Sequence, residues 1–345
     1  MTEFMQAKSR QVIVVLGTGR SGTSLLMQIL GRLGMGLSAN MIGPHHENPD
    51  GFFEDADVLA LHKQLLVEIG AKPILPLPDG WRQSPAVEPY RARIRSLVEG
   101  HLSESKTIWG VKDPRLSSLL PLWIDVLKSM WVVPIFVLAV REVGAVVRSI
   151  AEQANISQEM AELVWLFRTC DALLNSAGNC HIVHYEDWFT DMEATASALL
   201  SHTGLDRHFE GDVMAALDGV IKPRLNRSIH EEYKVANPYV LRLDEVMKGC
   251  RGSDFDRERL MLVAKACRLK LDGFKGWYLL AHQANKTLAE TQARLRAANA
   301  AAARVKELEA RIRELEEEKL QSGQLVVQVQ KLQRQLDQFL ALGAM

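Results

Sequence analysis

Short apolar runs alternate with helical patterns along the N-terminal part of the chain. Each run is bounded by turn or charged residues, as is typical of parallel strands that are buried on both faces. These runs cover residues 12–16, 108–111, 135–140 and 181–185. Between them, residues 23–33 and 116–130 repeat apolar side chains near the 3.6-residue period of an α-helix. The alternation predicts an α/β fold with a central parallel sheet, right-handed crossovers and ligands at the carboxyl ends of the strands.

The C-terminal part of the chain has a different pattern, rich in Ala, Glu, Gln, Arg and Leu. Its apolar positions alternate at spacings of three and four, which is the spacing of a coiled coil. They are Val305, Leu308, Ile312 and Leu315, followed by Val329, Leu332, Leu336 and Phe339. The phase changes around residues 319–323, so we expect a stutter or a hinge there.

These patterns divide the chain into an N-terminal tail at residues 1–10, an α/β domain at residues 11–280 and a coiled-coil tail at residues 281–345. A coiled coil in the tail implies that the chain forms a homo-oligomer. The alternative is a single amphipathic helix that folds back on the α/β domain.

Composition narrows the class of protein. Hydrophobic residues make up 47% and charged residues 24% of the 345 residues, the proportions of a folded globular protein. The formal net charge of −1 gives no overall positive field, so we expect no nucleic-acid partner. The longest apolar run, residues 131–140, is too short to span a bilayer, and no secretory signal is evident, so we expect no transmembrane segment and no export. Four cysteines without Cys-x-x-Cys spacing predict neither zinc nor disulfides, which fits a reducing cytoplasm.

A glycine-rich turn joins the first predicted strand to the first predicted helix, which is the setting of a phosphate-binding loop. Glycines let the backbone turn tightly and point successive N–H groups at one anion, and the helix N-terminus adds a partial positive charge. Hydroxyls and one arginine can add further contacts. The candidate residues are Gly17, Gly19, Arg20, Ser21, Gly22, Thr23 and Ser24. The alternative is a strand-to-helix turn that binds no ligand.

This loop lacks one residue of the common nucleoside-triphosphate site. Gly17 and Gly22 have the spacing of Gly-x-x-x-x-Gly-Lys-Ser/Thr, but Thr23 stands in place of the lysine. That lysine normally reaches the outer phosphates, and the next hydroxyl holds magnesium. Its absence predicts a donor without a triphosphate and a reaction without a metal.

The segment from Gly19 to Ser24 resembles the phosphosulfate-binding loop of sulfotransferases that use 3′-phosphoadenosine 5′-phosphosulfate (PAPS). A second match is similar to the 3′-phosphate site of that family, because Arg141 directly follows a predicted strand and Ser149 comes eight residues later. The resemblance extends over residues 12–205. It implies a P-loop-like three-layer fold and PAPS as the sulfonate donor, and it does not account for the coiled-coil tail.

The resemblance also implies catalytic roles. Arg20 is placed like the catalytic lysine of many sulfotransferases, so it would stabilise the leaving phosphate by charge and hydrogen bonding. Residues 48–54 resemble a motif of bacterial carbohydrate sulfotransferases, which implies Glu54 as the general base. It also implies a small-molecule or glycan acceptor, with a saccharide hydroxyl as the leading candidate. Glu54 could instead only complement the dipole of a helix predicted at residues 56–69. Three nearby residues are alternative bases: His45, His46 and Glu47.

Two weaker motifs, residues 109–115 and 184–188, also resemble bacterial members of the family. The first could hold a phosphate or an anionic acceptor, and the second could act at the site or only end a strand. Their candidate residues are Lys112, Arg115, Tyr185, Glu186 and, in a fainter continuation, Arg227.

Two other functions stay open. One is a nucleotide or small-molecule kinase with a modified P-loop, which magnesium-dependent ATP turnover would support. The other is an inactive module that assembles through the coiled coil, which failure to bind any adenosine bisphosphate would support.

Overall fold

A computed structural model describes residues 10–44, 51–71, 76–104, 108–221 and 233–342. Within these ranges, parallel strands form one four-stranded sheet in the order β2-β1-β3-β4. The strands are β1 (Arg10–Leu16), β2 (Trp109–Lys112), β3 (Val132–Val140) and β4 (Cys180–His184). All four predicted strands are therefore confirmed. Parallel pairing sets Val12 of β1 beside Trp109 on one side and beside Pro134 on the other.

Helices connect the strands, and further helices come after the last strand in the chain. The helices predicted from apolar periodicity are confirmed as α1 and α4, and the predicted helix after Glu54 is confirmed as α2. The helices of the described chain are α1 (Thr23–Arg32), α2 (Ala56–Glu68), α3 (Glu88–Glu104), α4 (Leu116–Ser129), α5 (Val143–Ala154), α6 (Gln158–Asn175), α7 (Asp187–Thr190), α8 (Met192–Thr203), α9 (Val213–Leu217), α10 (Pro238–Lys248), α11 (Arg257–Gly273) and α12 (Lys275–Leu342).

Alternate residues of β1 enter two separate apolar cores. Val12, Val14 and Leu16 pack in one core with side chains of α2 to α6 and of α10 and α11. Ile13 and Val15 pack in the other core with side chains of α1, α8 and α9. Because a central strand of a parallel sheet is covered on both faces, every residue of its run can be apolar. The helix, sheet and helix layers confirm the predicted three-layer fold.

The chain divides into two compact units, Met1–Leu279 and Leu280–Met345. Helix α12 begins in the first unit and supplies the described part of the second. It is continuous through residues 319–323, so the described backbone has no hinge there and the phase change is a feature of the sequence pattern. The association of α12 into a coiled coil stays a prediction. Of the helices in the described ranges, none is long and apolar enough to cross a membrane.

Candidate active site

The glycine-rich loop lies at the carboxyl end of β1, and its backbone requires two of its glycines. Gly17 and Gly22 have φ angles of 141° and 89°. A Cβ on Gly17 would lie 2.8 Å from the Ala139 carbonyl oxygen, and one on Gly22 would lie 2.6 Å from a Tyr185 ring carbon. Arg20 also has a positive φ, of 74°, which is uncommon for a residue with a side chain. Such conformations cluster at functional sites, where the surrounding structure holds them.

The loop leads directly into the N-terminus of α1. Gly22 is the N-cap residue, and no described side chain caps the first turn of the helix. The first N–H groups of a helix have no partner within it, and with the helix dipole they attract an anion. Ser21 and Thr23 are buried, and Ser21 Oγ donates to the Thr18 carbonyl oxygen at 2.7 Å. The Ser21 hydroxyl therefore stabilises the shape of the loop.

The residues predicted for the two phosphate contacts lie together beside the loop. Arg20 Nε donates to Ser149 Oγ at 2.8 Å, and an Arg141 Nη donates to the Arg20 carbonyl oxygen at 3.4 Å. β1 and β3 are neighbours in the sheet, so the residues that follow them meet at the same edge. Burial lowers the pKa of the Arg141 guanidinium, and Glu142 and Glu186 oppose that shift. Arg141 is partly buried, and partial burial strengthens the interaction of its charge with an anion.

Tyr185 and Glu186 support this arrangement. The Arg141 guanidinium lies over the Tyr185 ring, 4.5 Å from its centre, while the same ring packs against Gly22. Tyr185 N–H donates to the Val140 carbonyl oxygen at 2.7 Å, and Glu186 Oε1 accepts from the N–H of residue 142 at 3.0 Å. The motif at residues 184–188 thus both ends β4 and braces the arginine beside the loop.

Glu54 is paired with Lys112, which also lies beside Ser24 of the loop. Lys112 Nζ, at the end of β2, is 2.7 Å from Glu54 Oε1, and both side chains are buried. Lys112 Nζ also donates to the Phe52 carbonyl oxygen at 3.0 Å and lies 3.4 Å from Ser24 Oγ. Ser24 Oγ in turn donates to the Phe52 carbonyl oxygen at 2.9 Å. An ammonium group held by three oxygens therefore joins the phosphate loop to the predicted base.

The cap of α2 is Asp55, one residue after Glu54. Asp55 Oδ1 accepts from the N–H groups of Asp57 and Val58 at 2.7 Å and 3.1 Å, and its Oδ2 lies 2.9 Å from His101 Nε2. Burial acts to raise the pKa of Asp55, but hydrogen bonds from His101 and Ser38 and from the helix N–H groups leave it lowered. Asp55 is therefore the N-cap residue of α2, and Glu54, which precedes it, binds Lys112 instead.

Arg115 is held by a neighbouring carboxylate. Its Nη1 donates to both oxygens of Asp113, at 3.0 Å and 2.9 Å. Trp123 Nε1 donates to His62 Nε2 at 2.9 Å, and His62 Nδ1 lies 3.4 Å from Asp113 Oδ2. Burial acts to raise the pKa of Asp113, but His62 and Arg115 hold it well below its usual range. These contacts fix the segment that follows β2, and Lys112 is the last residue of that strand.

Helix α6 contributes two contacts that the sequence patterns do not mark. Arg168 Nη1 donates to the Pro114 carbonyl oxygen at 2.8 Å, and Thr169 Oγ1 lies 3.3 Å from Thr18 Oγ1. Burial lowers the pKa of Arg168 to about 10. Gly19 lies near Pro114, where a Cβ would make only an ordinary contact at 3.8 Å, so packing does not require this glycine. The signal for Arg168 is a charged residue inside an otherwise apolar stretch of helix.

Four candidates lie outside the described residues: His45, His46, Glu47 and Arg227. Among the described residues, no group of three or more His, Cys, Asp or Glu side chains could hold a metal ion.

Comparison with known proteins adds one family match. A family model described as "Sulfotransferase family" matches residues 12–210, more than half of the chain. A search of curated proteins finds no significant match.

Two solved structures are similar to the chain. The sulfotransferase domain of the olefin synthase from Synechococcus PCC 7002 is 16% identical, and the match covers 74% of this chain and 94% of that one with a TM-score of 0.37. The sulfotransferase STF1 from Mycobacterium tuberculosis H37Rv is also 16% identical, and the match covers 61% of this chain and 76% of that one with a TM-score of 0.32.

Proposed function

The chain belongs to the sulfotransferase family, and we propose that it transfers a sulfonate group from PAPS to an acceptor hydroxyl on a saccharide. The observation that carries the proposal is the meeting of Arg20, Arg141 and Ser149 beside the uncapped N-terminus of α1. A donor with a phosphosulfate and a separate 3′-phosphate needs two anion contacts within one small site. The loop with its helix N-terminus would supply one, and Arg141 with Ser149 would supply the other.

The bond between Arg20 and Ser149 suits both contacts. Its donor is Nε of Arg20, and a guanidinium carries five N–H donors in a fixed fork. In the donor complex we expect the guanidinium to donate to the oxygen that bridges sulfur and phosphorus. Ser149 accepts this bond, so its own O–H can donate to an oxygen of the 3′-phosphate.

In the proposed reaction the acceptor oxygen attacks sulfur in line with the departing phosphate. A new sulfur–oxygen bond forms while the bond from sulfur to the bridging oxygen breaks, and the negative charge passes to the phosphate. Arg20 and the loop N–H groups would stabilise that charge. The acceptor proton would pass to Glu54, whose Oε1 is held by Lys112 and whose second oxygen would face the acceptor. Lys112 is a positioning residue in this scheme.

Donor binding tests the proposal directly. We expect adenosine 3′,5′-bisphosphate to bind more tightly than AMP, and Arg141→Ala to weaken bisphosphate binding by about 10–100-fold, the effect of one hydrogen bond to a charged group. The matched control is Arg32→Ala, which removes an exposed arginine from the last turn of α1. Equal affinities of the parent protein for the two nucleotides, measured by calorimetry, would contradict the 3′-phosphate site.

Transfer itself needs a second measurement. The protein is incubated with PAPS and a panel of saccharides, and sulfonated products are identified by mass spectrometry. A parallel incubation with ATP and magnesium tests the kinase alternative. If the protein binds the bisphosphate but sulfonates a non-saccharide hydroxyl, the proposed sulfonate transfer is supported and the proposed acceptor class is wrong.

We also propose a cytoplasmic location. The observation that supports it is that Cys170, Cys180, Cys250 and Cys267 are all buried as free thiols.

A further inference from the structure

Helix α12 presents an apolar stripe over residues 304–318, which we call the heptad segment. Val305, Leu308, Ile312 and Leu315 follow one another at spacings of three and four, and each is about half exposed, at 53%, 49%, 55% and 48%. Apolar side chains in such a continuous stripe on a helix are the mark of a surface that another helix covers. We propose that the heptad segment pairs with the same segment of a second copy of this chain, in a parallel, in-register, two-stranded coiled coil.

The shapes of the apolar side chains favour two strands. In a heptad with positions a to g, Val305 and Ile312 take position a, while Leu308 and Leu315 take position d. β-branched residues at a, combined with leucine at d, pack best in parallel dimers, because the two positions present differently shaped holes to the facing helix. Trimers and tetramers favour other combinations. The stripe therefore selects a number of strands as well as a partner surface.

The charges beside the stripe favour the parallel direction. Arg304 and Arg311 take position g, and Glu309 and Glu316 take position e. In a parallel, in-register pair each g residue faces the e residue five positions later in the other helix, so Arg304 meets Glu309 of the second copy and Arg311 meets Glu316. An antiparallel pair would set g against g and e against e, which places like charges together. Both the arginines and the glutamates then oppose that direction.

Within one chain the two arginines already lie along the helix surface. Arg304 is 2.6 Å from Glu307, and Arg311 is 2.8 Å from Glu314, in exposed pairs three residues apart. Exposed pairs of this kind contribute little to stability, so they do not prevent new partners. The fork of an arginine can also serve a carboxylate in its own helix and one in the second copy at the same time.

Charge exchange tests both the partner and the direction. Arg304→Glu/Arg311→Glu leaves the apolar stripe intact but makes positions e and g acidic in both copies. For the parallel pair we expect the dimer dissociation constant, measured by analytical ultracentrifugation, to rise by about 10-fold or more, since four attractions become repulsions. The fourfold variant, with Glu309→Arg and Glu316→Arg added, restores attraction and should return the constant to the parent value.

Each contrary result overturns the proposal in a different way. A parent protein that stays monomeric at high micromolar concentration shows that α12 pairs with another part of the chain or with a different protein. An antiparallel dimer keeps its like-charge contacts in all three proteins, so an unchanged dissociation constant excludes the parallel direction. Bisphosphate binding should be equal in the three proteins, because none of the four residues belongs to the proposed donor site.

Cross-linking checks the register. Leu308→Cys and Leu315→Cys each place a thiol at position d, and in a parallel, in-register pair each variant forms a disulfide with itself under mild oxidation. The parent protein, whose four cysteines are buried, is the control. A cross-link that forms only when the two variants are mixed, or no cross-link at all, overturns the register.

Discussion

Replacing Lys112 with methionine should destabilise the protein by about 3–5 kcal/mol, the cost of removing one partner of a buried ion pair. Lys112 and Glu54 are only 3% and 8% exposed, and the two charges are 2.7 Å apart. Without the ammonium group, the carboxylate keeps its burial and loses its counter-charge. Glu54→Gln should cost less, about 1–3 kcal/mol, because the amide oxygen still accepts a hydrogen bond from Lys112.

The double variant measures how strongly Lys112 and Glu54 interact with each other. Lys112→Met/Glu54→Gln leaves no buried charge at this position, so its loss of stability should be smaller than the sum of the two single losses by about 2 kcal/mol. The assay is urea unfolding of the three variants. The matched control is Lys275→Met, which removes a lysine paired with the 96%-exposed Asp79 and should change stability little. If the free energy of unfolding of Lys112→Met lies within about 1 kcal/mol of that of the parent protein, Lys112 and Glu54 do not form a buried ion pair.

The same pair can be tested in the reaction. Glu54→Gln should lower the transfer rate constant by about 10²–10⁴-fold, the contribution of a general base, while bisphosphate binding is retained. Lys112→Met should lower the same rate constant with little change in bisphosphate affinity, because it acts through Glu54. Transfer at the parent rate by Glu54→Gln would place the base elsewhere, and His45, His46 and Glu47 would be tested next.

Three further predictions concern the loop and His181 of β4. Arg20→Met should lower the transfer rate constant by about 10²–10³-fold with a smaller loss of donor affinity, as judged by single-turnover kinetics. Gly22→Ala should weaken bisphosphate binding in calorimetry, because a φ of 89° disfavours a side chain and a Cβ would collide with the Tyr185 ring. Burial and the neighbouring His202 lower the pKa of His181 to about 4. Neutral His181 therefore stabilises the fold above pH ~6.5, and this contribution is lost as the pH falls toward about 4. Over that range the melting temperature of the parent protein should fall more steeply than that of His181→Gln.

The sequence predicts the strands and the phosphate loop because both are local patterns. Four apolar runs and one glycine-rich turn give the sheet, its layers and the start of α1. The meeting of Arg141 with Arg20 also follows, since β1 and β3 were both expected to end at the ligand-binding edge. Because the carboxyl ends of parallel strands lie at one edge of the sheet, residues far apart in the chain are expected to be close in the fold.

The pairing of Glu54 with Lys112 could not be predicted in the same way. The carboxylate precedes α2 and the lysine ends β2, and no periodicity relates the two positions. Their contact depends on how the segment before α2 crosses the loop, where Ser24 and Lys112 both bind the Phe52 carbonyl oxygen. The sequence patterns also did not mark Asp55, which the structure shows to be the N-cap of α2.

The central position of β1 has a consequence for biosynthesis. Val12 pairs with Trp109 and with Pro134, so β1 leaves the ribosome long before either neighbouring strand exists. At ordinary translation speeds of roughly 5–20 residues per second, on the order of ten seconds pass before β2, the first of the two partner strands to be made, is complete. Throughout that interval the apolar run of β1 has no sheet to join, and pairing between such distant segments is itself slow. Chaperones that shield nascent chains should therefore raise the yield of folded protein in a cell.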